Sequence, residues 1–278
     1  MPELPEVETI ARGLHTRVAG DGIESIWLGE KPEPLKSSAS AIAAALENTR
    51  IIAVRRMGKH IVFDLESAAL RRKARIPRAT AQWIVHLGMT GRLQVCPPQS
   101  EVLKHTHAIV KLVSGRELRF VDPRRFGRLS VTTAGNFETV GSEPLDTSLD
   151  RFVALFRGRK TPIKSALLNQ KLLRGVGNIY ADESLFRARI RPRRRASNTS
   201  RDQLSRLRAS IHEVLREAIA LGGSSISDYV DAGGQEGFFQ LKHRVYGRAG
   251  EPCLVCTTPI KRIVIGGRSS HYCPRCQK

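Results

Sequence analysis

In residues 1–150, short apolar runs alternate with polar turns. Positions 7, 10, 14 and 18 are apolar at close to helical spacing, which predicts a short helix from about residue 5 to residue 18. Ser114-Gly115-Arg116 is typical of a hairpin turn. Several short strands joined by polar turns indicate a sandwich or a barrel. Runs rich in isoleucine and valine predict these strands at 51–54, 61–65, 83–87, 108–113 and 118–121.

The pattern becomes helical from about residue 149. A strong amphipathic helix is predicted near its middle, and Gly222-Gly223 should end that helix. Residues 223–250 are rich in glycine and polar residues, which is typical of a mobile loop followed by a linker. Helical periodicity covers 152–156, 166–173 and 204–221. We therefore predict three domains, 1–148, 149–250 and 251–278.

The charge balance narrows the class of partner. Lys and Arg number 46 against 26 Asp and Glu, which gives a formal net charge of +20. Such an excess favours a polyanion, and nucleic acid ahead of a membrane surface, although a basic surface kept for solubility stays open. No stretch reaches the roughly 20 apolar residues of a membrane span, and no secretory signal is visible. We therefore expect a reducing cytoplasm as the setting.

Four of the five cysteines predict a metal site. Cys253 and Cys256 form one C-x-x-C pair, Cys273 and Cys276 form a second, and sixteen residues separate the pairs. This spacing is typical of a zinc ribbon, in which four thiolates close a tetrahedron around one structural zinc ion. Chance pairing and a redox dithiol are the alternatives. Cys96 has no counterpart and is interpreted as an ordinary half-buried thiol.

The amino terminus carries the second chemical signal, a proline directly after Met1. Glu6 and Glu8 suit the first turn of a helix, but that role does not explain Pro2. If Met1 is removed, Pro2 has a free secondary amine, which is partly unprotonated near neutral pH because α-amino groups titrate at about 7.7–8.0. An amine that condenses with a sugar aldehyde gives a Schiff base, and Glu3 would lie beside the reacting carbon for proton transfer.

At this point the sequence resembles the formamidopyrimidine-DNA glycosylase family. The matching segments run in family order over essentially the whole chain, and their joint occurrence is highly specific. They are PELPEVET at the start, Lys59 in RRMGKH, HLGMTGRL at 86–93, KHTH at 104–107, DPRRFG at 122–127, QKLLRGVGNIYADE at 170–183 and the finger ending in CPRCQK. The resemblance implies an α+β fold with a two-layer β-sandwich, a helix–two-turn–helix domain and a four-cysteine zinc finger.

The resemblance also implies an activity on damaged double-stranded DNA, carried out by a cytoplasmic, nucleoid-associated monomer. Members excise oxidised purines such as 8-oxoguanine and formamidopyrimidines, then cleave the strand by β- and δ-elimination. By the family pattern Pro2 attacks C1′, Glu3 transfers protons at the sugar, and Glu6 arranges the site. Lys59 is associated with β-elimination and a phosphate contact, and Arg268 with δ-elimination and phosphate binding.

Further positions are implied to contact the DNA. Met89, Arg124 and Phe126 match the side chains that fill the space left by the extruded nucleotide, although sequence alone favours core positions for Met89 and Phe126. The loop at about 223–240 matches a segment over the flipped base. A nucleotide cofactor is not expected, because no strand precedes the glycines of GVGNIY. Residues expected to contact the DNA backbone are His105, Arg159, Lys160, Lys164 and Asn178.

Two alternative functions stay open, and one segment departs from the family pattern. The related branch that acts on oxidised pyrimidines is disfavoured by PELPEVE and DPRRFG, and a non-catalytic binder of the same fold is disfavoured by the presence of Pro2, Glu3 and Lys59. The segment 67–82 is longer than the family's usual connection before HLGM, which suggests an exposed basic insertion of unknown role.

Overall fold

A computed structural model of the chain describes residues 2–67, 79–133, 137–225 and 230–278. The chain divides into two compact units. The first comprises Met1–Glu138 and Gly222–Gly237, and the second comprises Thr139–Leu221 and Phe238–Lys278. Most of the segment predicted to cover the flipped base is therefore grouped with the first unit. Most of the predicted 67–82 insertion lies outside the described residues.

The first unit contains an eight-stranded antiparallel sheet in the order β5-β7-β6-β1-β2-β3-β4-β8. All five predicted strands are present, and Gly115 forms the predicted hairpin turn with a φ of +81°. The strand β1 was missed because a register shift between Ile23 and Ser25 breaks its alternation. The strands are β1 Gly22–Leu28, β2 Thr49–Met57, β3 His60–Ser67, β4 Ala81–His86, β5 Arg92–Cys96, β6 Thr106–Leu112, β7 Glu117–Val121 and β8 Arg128–Thr132.

Among the described residues of this unit, two helices accompany the sheet. The predicted N-terminal helix is confirmed as α1, Leu4–Val18, and its apolar stripe is buried in the same core cluster as the inward side chains of the strands. The helix α2, Ala39–Leu46, was missed, and Ser38 caps it by accepting a hydrogen bond from the Ala41 amide. Burying one such aliphatic side chain stabilises the fold by about 1.5–3 kcal/mol, so the start of α1 is firmly held on the sheet.

The second unit is mainly helical and ends in a two-stranded hairpin. The predicted amphipathic helix is confirmed as α6, and a capping box between Ser200 and Gln203 begins it. Its helices are α3 Leu149–Phe156, α4 Ile163–Leu168, α5 Asn178–Arg187 and α6 Arg201–Ala220, and its strands are β9 Lys261–Ile265 and β10 Arg268–Tyr272. These elements confirm the predicted α+β class. None of the helices in the described ranges combines the length and the apolar content needed to cross a bilayer.

Candidate nucleic-acid interface and reaction site

The N-terminal residues lie at the start of α1 on the first unit. Pro2 is partly exposed, whereas Glu3 and Glu6 are 4% and 2% exposed. The Glu6 carboxylate accepts one hydrogen bond from the Glu3 amide at 2.8 Å and another from the Ser224 amide at 2.8 Å. Glu6 therefore fixes the backbone beside Pro2 and ties it to the segment that follows Gly223.

Gly223 has no room for a side chain at this point. Its φ is +86°, and a Cβ there would lie 2.9 Å from Cγ of Glu6. A Cβ on Gly237 would lie 2.4 Å from the Gly223 carbonyl oxygen, so the two ends of the predicted lesion loop approach each other closely. The sequence explained these glycines by mobility, but the structure shows that Gly223 and Gly237 also permit close packing.

Lys59 lies in the turn between β2 and β3 and is only 8% exposed. The ring of His60 lies 5.0 Å from the ring of His86 on β4. Burial lowers the pKa of His86 to about 4, and the positive charges of Arg128, Lys59 and a protonated His60 act in the same direction. Burial also lowers the pKa of His60. Both rings are therefore neutral near pH 7 and add no positive charge beside Lys59.

Two loops present exposed side chains at one end of the sheet. Met89 is 41% exposed and Phe126 is 52% exposed, although both are large and apolar. The Arg124 guanidinium lies over the Phe126 ring at 4.9 Å from its centroid, which is a cation–π distance. The core positions that sequence alone favoured for Met89 and Phe126 are wrong. His105 is exposed on a neighbouring loop, where its φ is +70°.

In the second unit, several predicted contact residues are accessible. Arg159 and Lys160 are exposed after α3, and Asn178 begins α5 directly after the two glycines of GVGN. Arg268 begins β10 and is exposed beside the turn formed by Gly266 and Gly267. These positions suit contacts with a polyanion.

Lys164 is placed differently from the expected contact with the DNA backbone. It is 0% exposed, and its Nζ lies 2.6 Å from Oδ1 of the equally buried Asp182. The same Nζ donates to the Ser269 carbonyl oxygen at 2.7 Å. Because the ammonium group faces the interior, we correct the expectation: Lys164 joins α4 to α5 and to β10.

Asp182 was not recognised from the sequence. Its Oδ2 accepts a hydrogen bond from the His271 amide at 2.8 Å, so one carboxylate holds both Lys164 and the finger strand. The next residue, Glu183, is also fully buried and accepts hydrogen bonds from the amides of residues 244–246. The only sequence signal is two adjacent acidic residues inside an otherwise apolar helix segment, YADESLF.

The four predicted metal ligands converge. The Sγ atoms of Cys253, Cys256, Cys273 and Cys276 all lie within 4.8 Å of one another. A tetrahedral zinc with Zn–S bonds of about 2.3 Å requires sulfur–sulfur distances of about 3.8 Å. The measured distances of 3.9 Å between Cys253 and Cys276 and 3.5 Å between Cys256 and Cys273 suit that geometry. Cys96 is half-buried, as predicted, and burial raises its pKa.

Comparison with known proteins decides the family. The N-terminal domain model of formamidopyrimidine-DNA glycosylase matches residues 1–129, the H2TH domain model of the same enzyme matches 140–230, and a zinc finger found in FPG and IleRS matches 250–278. A formamidopyrimidine-DNA glycosylase of Solibacter usitatus is 44% identical over 100% of both chains. The chain belongs to the formamidopyrimidine-DNA glycosylase family.

Solved structures of the family agree with this assignment. A mutant of the Lactococcus lactis FPG protein in complex with DNA containing Fapy-dG has a TM-score of 0.88 and 31% identity, with 100% of both chains covered. The wild-type Lactococcus lactis protein in complex with DNA containing an oxidised pyrimidine has a TM-score of 0.86 and 32% identity over 100% of both chains. The sandwich, the helix–two-turn–helix domain and the zinc finger are therefore confirmed, with one structural zinc held by the four cysteines.

Membership also confirms the class of activity. The chain is a base-excision repair enzyme, a DNA glycosylase that also has AP lyase activity and binds damaged duplex DNA.

Proposed function

We propose that this glycosylase excises oxidised purines, including 8-oxoguanine and formamidopyrimidines, through a Schiff base on Pro2, and then nicks the strand by β,δ-elimination. The observation that carries the proposal is the N terminus itself: a partly exposed Pro2 directly precedes the buried Glu3 and Glu6. The Glu3 amide donates to Glu6, and the Ser224 amide holds the same carboxylate in place, so a nucleophile at Pro2 is preorganised.

The proposed reaction needs a free amine on Pro2, and therefore removal of Met1. The nitrogen lone pair attacks C1′, the glycosidic bond breaks, and the base leaves with the bonding electrons and a proton. Loss of the amine proton and opening of the sugar ring give an iminium ion, which acts as an electron sink. Loss of a C2′ proton then expels the 3′ phosphate, a second elimination expels the 5′ phosphate, and water releases Pro2.

Other residues have assigned roles in this proposal. Glu3 exchanges protons at the sugar, Lys59 supports β-elimination and binds phosphate, and Arg268 supports δ-elimination. The residues proposed to contact the DNA backbone are His105, Arg159, Lys160 and Asn178, of which the first three are exposed. Lys164 is excluded from this set because its Nζ is buried. Contacts by Lys and Arg release counterions, so affinity for a lesion duplex should fall steeply with salt. Removal of the Lys160 charge should reduce the slope of log affinity against log salt concentration by about 1, the contribution of one phosphate contact.

The test is borohydride trapping on a duplex with one 8-oxoguanine opposite cytosine, followed by peptide mapping. A covalent adduct on Pro2 supports the proposal, and Pro5→Ala is a control that leaves the nucleophile in place. An adduct on another residue would overturn the assigned nucleophile. Absence of any adduct, with Met1 removed and binding intact, would point to another lesion or to a non-catalytic binder.

One observation supports oxidised pyrimidines as a second class of lesion. A structural relative has been captured with DNA containing an oxidised pyrimidine. The same trapping assay on a duplex with an oxidised pyrimidine separates the two classes, because an oxidised-purine enzyme should give the faster adduct with 8-oxoguanine.

A further inference from the structure

Asp122 is a fully buried carboxylate directly after β7. Its Oδ1 accepts a hydrogen bond from the Thr90 hydroxyl at 2.6 Å and a longer one from the Arg124 amide at 3.3 Å. Its Oδ2 accepts from the Gly127 amide at 2.7 Å. All three donors are neutral. Burying a carboxylate costs free energy unless its oxygens are hydrogen-bonded, so the loops must keep the conformation that points these donors at Asp122.

The donors to Asp122 come from two loops. Thr90 follows Met89 in the loop between β4 and β5, and Arg124 and Gly127 flank Phe126 in the loop between β7 and β8. The carboxylate therefore lies at the base of all three exposed side chains described above.

Glycines allow the same two loops to touch through their backbones. A Cβ on Gly88 would lie 2.5 Å from the Phe126 carbonyl carbon, and a Cβ on Gly127 would lie 2.5 Å from the Phe120 ring. Neither site has room for a side chain, because backbone and a buried ring cannot yield easily. The two loops thus form one packed base from which the exposed side chains project.

A third loop is joined at the same residue. The Asp122 amide donates to the His105 carbonyl oxygen at 3.0 Å, and the ring Nε2 of the buried His107 lies 3.0 Å from the Asp122 carbonyl oxygen. His105 is the exposed residue to which we assign a contact with the DNA backbone. Asp122 therefore connects to every predicted DNA contact at this end of the sheet.

We infer that Asp122 is a positioning residue for duplex opening, whose carboxylate fixes Met89, Arg124 and Phe126 in the orientation that fills the gap left by the extruded nucleotide. The inference rests on the proposed function. Side chains that enter a base stack lose binding energy if they must first be ordered. The buried Asp122 carboxylate orders both loops in the free protein, so no binding energy is spent on ordering them when DNA binds.

The test compares Asp122→Asn with a matched control, Asp21→Asn. Asp21 also accepts backbone hydrogen bonds, from Gly22 and Ser114, but at the opposite end of the β6–β7 hairpin. Excision of 8-oxoguanine from a duplex under single turnover should fall about 10- to 100-fold in Asp122→Asn and stay near wild type in the control. Thr90→Val should act in the same direction more weakly, because it removes one of the donors.

Two further measurements separate duplex opening from chemistry and from folding. Borohydride trapping on a single-stranded oligonucleotide with a preformed abasic site needs no unstacking, and Asp122→Asn should retain the wild-type rate there. The fluorescence rise of 2-aminopurine opposite the lesion, which reports unstacking without any reaction, should be slower in Asp122→Asn than in wild type.

The outcomes are distinct. Equal losses on single-stranded and duplex substrates, or wild-type duplex excision by a folded Asp122→Asn variant, would overturn the inference. Failure of the wild-type protein to form an adduct on Pro2 would instead overturn the proposed function, and the 2-aminopurine signal would still decide the role of Asp122.

Discussion

The sheet of the first unit and the zinc finger are stabilised in different ways. Around the sheet, 26 of the described buried apolar residues, including those of α1 and α2, form one cluster, whereas the cluster at the finger has five, two of them zinc ligands. Leu254, Val255 and Val264 of the finger are more than half exposed. A small unit with so few buried side chains cannot rely on the hydrophobic effect. Metal ligation and buried charges therefore have to supply the stability that the hydrophobic effect supplies in the sheet.

The tryptophans allow this comparison to be measured. The chain has two, and Trp27 and Trp83 both lie on strands of the sheet. Tryptophan fluorescence therefore follows the first unit, and release of zinc to a colorimetric chelator follows the finger.

The largest effect is expected from Cys256→Ser. Apparent zinc binding in such modules is worth about 10–16 kcal/mol, and that energy is also the folding energy of the finger. The variant should lose its single zinc and bind lesion DNA more weakly, since Arg268 is no longer held, while the tryptophan transition in urea should barely move. Cys96→Ser should keep its zinc, and zinc retained by Cys256→Ser would contradict the assigned site.

A smaller effect is expected from Asp182→Asn. This change removes the carboxylate charge that lies 2.6 Å from the buried Lys164 ammonium, and breaking a buried pair costs about 3–5 kcal/mol. Zinc should be released at lower urea concentration, with the tryptophan transition unchanged. Adding Lys164→Met should recover much of the loss, because the buried ammonium is then removed as well. If the double variant were as unstable as the single one, the loss would come from the other contacts of Asp182 and not from the Lys164 ammonium.

These two regions also differ in how far sequence predicts them. The cysteine spacing predicted the finger, because local pairs must face one ion, and periodicity predicted α1, α6 and five strands. The ion pair of Lys164 with Asp182 escaped prediction, since a lysine alone favours the surface and its partner lies in another helix. Asp122 was noted only as part of DPRRFG, because its side-chain donor, Thr90, lies in a different loop, 32 residues earlier in the chain.

A third effect concerns acid, which should weaken the sheet through His86. The pKa of His86 is about 4 in the folded sheet, below its ordinary value of 6.5, so the unfolded chain binds more protons between these pH values. The stability contributed by neutral His86 is complete above pH 6.5 and is lost as the pH falls towards 4. The loss amounts to at most about 3 kcal/mol.

Urea unfolding followed by tryptophan fluorescence between pH 4 and 7 measures this effect separately from zinc release. His86→Gln retains an acceptor for the Gly88 amide and should have a flatter dependence on pH than wild type. Parallel pH profiles for the two proteins would exclude His86 as the titrating group.

The smallest effect is expected when one methylene group is removed from each region. Ile61 is 0% exposed in the sheet core and Ile260 is 2% exposed in the finger cluster. Ile61→Val should lower the free energy of unfolding by about 0.5–1.5 kcal/mol, seen by tryptophan fluorescence with zinc affinity unchanged. Ile260→Val should leave that transition in place and weaken zinc binding by up to about tenfold, because folding of the finger and metal binding are one equilibrium. Unchanged zinc affinity in Ile260→Val would mean that the finger cluster contributes nothing to holding the four cysteines together, and that metal ligation and the buried charges stabilise this region alone.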